Sequence, residues 1–172
     1  EEKTLSSYNS QIQVTPSIKN ANNIIDRDLT SSAGFSKSIE NYQIDIKTNQ
    51  AITARSLKLV PLKDVFKVEC EVSAETNGSF NVIKSFTIDR SKLTPNVGAD
   101  KYAPILISLP ETKSKNFRIK FKALGGVFQS NTYPNAKIAA WHLSEIVISE
   151  AAGLEDYSEK NLGKMHPTPF PS

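Results

Sequence analysis

The chain has 172 residues, 38% of them hydrophobic, and a net charge of +3 from 21 basic and 18 acidic side chains, enough for one domain with its own core. Lys and Arg are scattered among Asp and Glu instead of forming a stripe, which argues against nucleic acid as a partner, and no apolar run is long enough to span a membrane. Cys70 is the single cysteine and lies in an alternating apolar pattern, as a small buried hydrophobe does, while His142 and His166 lack the Cys companions of a zinc motif. The first residue is Glu1 and no charged-then-apolar leader opens the sequence, so the piece reads as a mature chain or a fragment of something longer.

In chain order, Leu5 to Ile18 mixes apolar and polar residues at short period and ends at a turn containing Pro16, the pattern of an edge strand. Ala21 to Phe35 then crowds Asn22, Asn23, Asp26, Asp28, Thr30, Ser31 and Ser32 around Ile24, Ile25 and Leu29. Short oxygen-bearing side chains compete for backbone hydrogen bonds, so this is a loop, with the three apolar residues expected to pin it to the core. Two readings stay open for it. The acidic and hydroxyl side chains cap turns, or they and the intervening carbonyls gather around a hard cation such as calcium, which takes about six to eight oxygen ligands. The spacing is not that of an EF-hand, because Ser31 stands where Gly is required, Lys37 where Glu is required, and no helix pattern flanks the loop. A calcium site here needs a ligand from far along the chain.

Tyr42, Ile44 and Ile46 share one face of a strand, and Ile52 to Leu62 reads as a second short strand ending near Pro61. Val65 to Ser73 alternates cleanly, with Phe66, Val68, Cys70 and Val72 inward and Lys67, Glu69 and Glu71 outward. Asn77-Gly78 then predicts a tight hairpin turn into the strand Phe80 to Ile88, because both residues tolerate positive φ. Asn77-Gly78-Ser79 is also a glycosylation sequon, but the turn already accounts for it.

Ser91 to Pro104 reads as loop and Ile105 to Leu109 as a short strand. Asn116 to Leu124 sets Phe117, Ile119 and Phe121 against Arg118, Lys120 and Lys122, and the basic row reads as the solvated face of an antiparallel sheet. Gly125 to Lys137 is a polar loop, and Ile138 to Ser149 closes the set of about eight short strands. The pattern is all-β, a two-sheet antiparallel β-sandwich over residues 1–150. Residues 151–172 read as a short helix from Leu154 to Lys164 and a Pro-rich linker toward a further domain.

The succession Ala-Asn-Asn-Ile-Ile-Asp-Arg-Asp-Leu-Thr, Tyr-Gln-Ile-Asp-Ile, Val-Ser-Ala-Glu-Thr-Asn-Gly-Ser-Phe, Phe-Arg-Ile-Lys-Phe and Leu-Ser-Glu-Ile-Val-Ile resembles the discoidin or galactose-binding-like family. It is most similar to the carbohydrate-binding modules attached to secreted bacterial glycoside hydrolases, over roughly residues 10 to 150. The tail Glu-Asp-Tyr-Ser-Glu-Lys-Asn-Leu-Gly-Lys-Met-His-Pro resembles the junctions of large glycosidases of the rhamnosidase type. The resemblance implies a jelly-roll sandwich and a secreted, periplasmic or cell-surface setting. It also implies a structural Ca2+ held by the carbonyls of Asn23 and Asp28, by Asp26 and Thr30, and by Glu145 at the last strand. Arg27 stands where the family usually has Gly, and Phe35 is a distant substitute for the Trp that commonly follows the Thr. Taken by itself, Glu145 reads equally as an exposed strand-edge carboxylate.

No nucleophile elbow, phosphate loop or placed carboxylate pair marks a catalytic site. The function expected is therefore that of a noncatalytic carbohydrate-binding or accessory module of a larger glycoside hydrolase. Its partner would be a glycan or the catalytic domain of the same chain. The alternatives are a purely structural packing module and a module that lends a loop or carboxylate to the neighbouring active site. A sugar needs an exposed aromatic ring with amides or charges around it. The favoured place is the loop with Phe128, Gln129, Asn131 and Tyr133, with Phe35 and Tyr102 as further candidates, while Trp141 is assigned to the core.

Overall fold

The alternating stretches become strands whose apolar faces meet in one core. The computed structural model describes residues 5–36, 38–63, 67–89, 102–124 and 140–155. Among the described residues seven strands follow in order: β1 (Gln11–Thr15), β2 (Ala33–Ser36), β3 (Asn41–Lys63), β4 (Lys67–Thr76), β5 (Ser79–Asp89), β6 (Ile105–Ala123) and β7 (Ala140–Ser149). All pairings are antiparallel, as the short links and half-polar strands require.

Two strands are far longer than the usual five or six residues: β3 with 23 and β6 with 19. The first half of β3 pairs with β1 and with the second half of β6, which pairs in turn with β4 and then β5. The second half of β3 pairs with the first half of β6 and with β7, which carries β2 at its far edge. The hydrogen-bonded array thus folds over itself as a sandwich, with the layer β1-β3-β6-β4-β5 facing the layer β6-β3-β7-β2.

The fold line lies where the β3–β6 register slips, between Lys47 and Ile52. Slipping frees backbone carbonyls, and two buried hydroxyls collect them. Thr48 Oγ1 lies 2.6 Å from the Gln50 carbonyl and 3.1 Å from that of Lys115, and Ser114 Oγ lies 2.9 Å from those of Glu75 and Asn116.

The interior is aromatic at one end. Phe35 of β2 stacks on Trp141 of β7 at 4.2 Å and meets Tyr42 and Phe121 of the opposite layer edge-on at 5.1 and 6.2 Å. Val68, Cys70 and Val72 are buried as the alternation predicts, and burial pushes the Cys70 thiol upward. The turn Asn77-Gly78 takes φ 55° and 78°, the conformation its sequence calls for.

Several boundaries differ from the sequence reading. Leu5–Tyr8 is a 3-10 turn ahead of β1 and not part of an edge strand. Ile52 to Leu62 continues β3, and Ile105 to Leu109 and Asn116 to Leu124 are the two ends of β6, because bulges bend these strands without ending them. The predicted loop from 91 to 101, the loop from 125 to 137 and the C-terminal helix beyond Glu155 lie outside the described residues.

Candidate functional site

Asn20, at φ 56°, opens a 3-10 turn over Ala21–Ile24, and Ile24 and Ile25 go into the core as anchors. Leu29, the third expected anchor, is 57% exposed. It occupies the tip of the loop, where the turns around Asp26 and Asp28 carry the chain away from the core.

Those turns are real. Asp26 Oδ1 accepts from the Asp28 amide at 2.8 Å, and Asp28 Oδ1 accepts from the Thr30 amide at 2.8 Å and the Thr30 hydroxyl at 2.6 Å. The Thr30 bonds hold the Asp28 carboxyl below its ordinary value. Turn chemistry does not exhaust the loop, however. Ser31 Oγ lies 2.7 Å from Asp26 Oδ2, 3.1 Å from the Asp28 carbonyl and 3.4 Å from the Asn23 carbonyl. One hydroxyl proton serves one acceptor well, and the Asp28 carbonyl also accepts from the Ser31 amide at 3.1 Å, so three oxygens converge on a residue that offers two donors. The sequence marks Ser31 only as one of the loop's polar residues and as a departure from an EF-hand; its position among these oxygens carries no separate signal in a Ser-rich loop.

Glu145 reaches this loop from β7. Its Oε2 accepts from the Arg27 amide at 3.0 Å, and Arg27 holds φ 69° to present that amide. The residue is 4% exposed, and among the described residues its Oε1 has no hydrogen-bond partner. The reading of Glu145 as an exposed edge carboxylate is thereby corrected: a one-residue bulge at Ser144 shifts the register before Glu145, and the residue is buried where Arg27 of the loop meets it. Burial raises the Glu145 carboxyl to about 7, and the charge of Asp26 pushes the same way.

These donors suit one class of ion. Among the described residues no three His, Cys, Asp or Glu side chains form a metal cluster, so a cation here would rely on backbone carbonyls. That is calcium chemistry and not zinc chemistry. The carbonyls of Asn23 and Asp28 and the carboxylate of Asp26 lie around Ser31 Oγ, and Glu145 bonds the amide of Arg27, between Asp26 and Asp28. The Thr30 hydroxyl is committed to Asp28.

The aromatic candidates separate. Phe35 is fully buried between Trp141, Tyr42 and Phe121, because β2 begins at Ala33 and its alternation turns Phe35 inward; it offers no face to a sugar. Trp141 is 2% exposed, a core residue as expected. Tyr102 is 41% exposed. Phe128, Gln129, Asn131 and Tyr133 lie outside the described residues.

The outward face of the β1-β3-β6-β4-β5 layer is the other polar surface of note. Arg118 pairs with Asp45 at 2.6 Å, Lys120 with Glu71 at 3.3 Å, Lys67 with Asp89 at 2.9 Å, and Lys122 lies 4.0 Å from Glu69. Glu75 accepts from the Asn116 side-chain amide. The basic row of β6 thus stands on a sheet face, as expected, and is matched by acids on β3 and β4.

No protein-family model and no curated protein sequence matches the chain. Solved structures do share its fold. The C-terminal domain of a chitobiase from Bacteroides fragilis aligns with TM-score 0.61 and 13% identity over 88% of this chain and 100% of its own. A family 32 carbohydrate-binding module from C. perfringens, solved with galactose, aligns with TM-score 0.59 and 14% identity over 87% of this chain and 100% of that one. A Ruminococcus gnavus GH29 fucosidase aligns with TM-score 0.57 and 12% identity over 87% of this chain, which spans 27% of the fucosidase. The chain therefore shares the β-sandwich fold of these modules.

Proposed function

We propose that the chain is a noncatalytic carbohydrate-binding module of a larger, secreted or cell-surface bacterial glycoside hydrolase. The observation that carries this reading is the fold, which covers the whole length of a module solved with galactose. Other structures of the same fold were solved with an unsaturated mannuronic acid or are described as pectin-binding. Like folds also occur inside fucosidases, so a parent of the rhamnosidase type rests on the C-terminal resemblance alone.

In this reading the loop with Phe128, Gln129, Asn131 and Tyr133 supplies the sugar platform, and Tyr102 adds an exposed ring. Asn23, Asp26, Asp28 and Glu145 would hold a structural Ca2+, which supplies charge neutralisation for carboxylates crowded in a half-buried place. The orphaned Oε1 of Glu145 and the three oxygens around Ser31 support that assignment.

The test is a glycan array on the 172-residue chain, followed by titration of the best ligand against wild type and Tyr133→Ala. Loss of binding in the variant supports the loop site. Wild-type binding that Tyr133→Ala leaves unchanged removes it, and no binding to any glycan leaves a packing module.

A further inference from the structure

We infer that the outward face of the β1-β3-β6-β4-β5 layer is a second glycan surface, separate from the loops, which takes an extended uncharged oligosaccharide across Phe80 and Arg118. The inference rests on the carbohydrate-binding reading and adds the site and the ligand class.

The first support is shape. Two grooves of about 790 and 450 Å³ lie on this face, one over the Asn41, Lys122 and Thr87 end and the other over the Lys47, Asn116 and Phe80 end. They adjoin along the middle strands, where Gln43 and Lys120 line one and Asp45 and Arg118 the other. From Asn41 to Lys47 the strand runs about 20 Å, so the combined trough suits a short chain of sugars better than a single ring.

The second is preorganisation. Gln43 Nε2 donates to Asp45 Oδ2 at 2.7 Å, Arg118 Nε donates to Asp45 Oδ1 at 2.6 Å, and the Arg118 guanidinium lies 4.1 Å from the centre of the Phe80 ring. These bonds cross from β3 through β6 to β5 and fix the polar atoms before any ligand arrives, which lowers the ordering cost of binding. Arg118 has five N–H donors and spends Nε on Asp45, and among the described residues its terminal nitrogens are left for ligand hydroxyls. Phe80 stays 37% exposed with the Arg118 guanidinium over one side of its ring, and an exposed apolar ring carrying directional donors is what a pyranose requires.

The third is charge. Asp45, Glu69, Glu71, Glu75 and Asp89 on this face are matched by an equal number of bases, Lys47, Lys67, Arg118, Lys120 and Lys122, and most stand in cross-strand pairs. A phosphate backbone or an acidic polysaccharide would need a net positive surface. A face of balanced charges and side-chain amides suits a neutral, hydroxyl-rich chain.

The experiment titrates the 172-residue chain by calorimetry with galactose and with neutral galactan and xylan oligosaccharides of increasing length, beside polygalacturonate as the acidic control. Wild-type affinity should rise with length for at least one neutral series, and Phe80→Ala should lower affinity for its longer members about tenfold while leaving galactose unchanged. Tyr133→Ala should do the reverse. Chemical-shift mapping on wild type, with movement at the Arg118 Nε and Gln43 side-chain amide resonances, gives the same reading without a substitution. If the oligosaccharides bind but neither those resonances nor the Phe80→Ala affinity changes, the sheet-face site is wrong and the module reading stands. If polygalacturonate is preferred and moves those resonances, the neutral-ligand assignment is wrong. If no glycan binds wild type, the module reading fails and this inference fails with it.

Discussion

Replacing Glu145 by Gln separates a buried carboxylate that waits for a cation from one that merely holds a loop. Gln keeps the shape, can accept from the Arg27 amide as Oε2 does, and removes the charge. Burial first, and the charge of Asp26 after it, raise the carboxyl from an ordinary 4.5 to about 7. The folded state therefore binds this proton more tightly than the unfolded chain, and its contribution to stability is complete below about pH 4.5 and lost as pH rises through about 7. At 1.36 kcal/mol for each tenfold in proton affinity, the loss reaches roughly 3 kcal/mol, or about 6–12 °C in melting temperature for a domain of this size. In chelator at about pH 8, Glu145→Gln should therefore melt above wild type by up to that amount, and near pH 4.5 the gap should close. Calcium should raise the wild-type melting temperature at pH 8, more than at pH 5.5, and leave the variant unmoved. The assay is a melting series over pH by circular dichroism, with and without calcium. A variant that melts below wild type at pH 8 in chelator would refute the reasoning, because the carboxylate would then be stabilising as it stands.

Other substitutions probe the parts around this one. Arg27→Gly relieves a left-handed φ of 69° and keeps the amide that meets Glu145, so it should be neutral or stabilising by up to about 1 kcal/mol in denaturant unfolding; Arg27→Val should destabilise. Phe35→Ala opens a cavity among Trp141, Tyr42 and Phe121 and should cost about 3–5 kcal/mol. Gly34→Ala would set its new methyl 2.9 Å from the His142 ring, so it should cost about 1–3 kcal/mol unless His142 is first shortened to Ala, a rescue visible in a double-mutant cycle. Gly78→Ala meets no neighbour, yet φ 78° strains an L residue and should cost about 1 kcal/mol.

What the sequence revealed follows from how local each signal is. The run Val68, Cys70, Val72 and the run Phe117, Ile119, Phe121 announced their strands by alternation, and all six are buried. Asn77-Gly78 announced its turn because its constraint on φ belongs to those two residues. The joining of Ile52 to Leu62 onto β3 was hidden, because Thr48 to Gln50 have turn-like composition and only the bond from the Thr48 hydroxyl to the Lys115 carbonyl and the resumed pairing of Ile52 with Ser114 carry the strand across them. Phe35 looked like a loop aromatic because β2 is only four residues long and is defined by β7, more than a hundred positions away. Glu145 was linked to the loop only through a family resemblance; its burial comes from a bulge that alternation cannot foretell. The paired acids opposite Arg118, Lys120 and Lys122 were likewise visible only once β3, β4 and β6 were in register.

The central claim is that this sandwich binds sugar, and the direct measurement is calorimetric titration of the 172-residue chain with the glycans that an array selects. Saturable binding of a neutral glycan, with affinity that falls on Tyr133→Ala or Phe80→Ala while the melting temperature holds, is the predicted result. A folded chain that releases no heat with any array glycan, in calcium and in chelator alike, would contradict it.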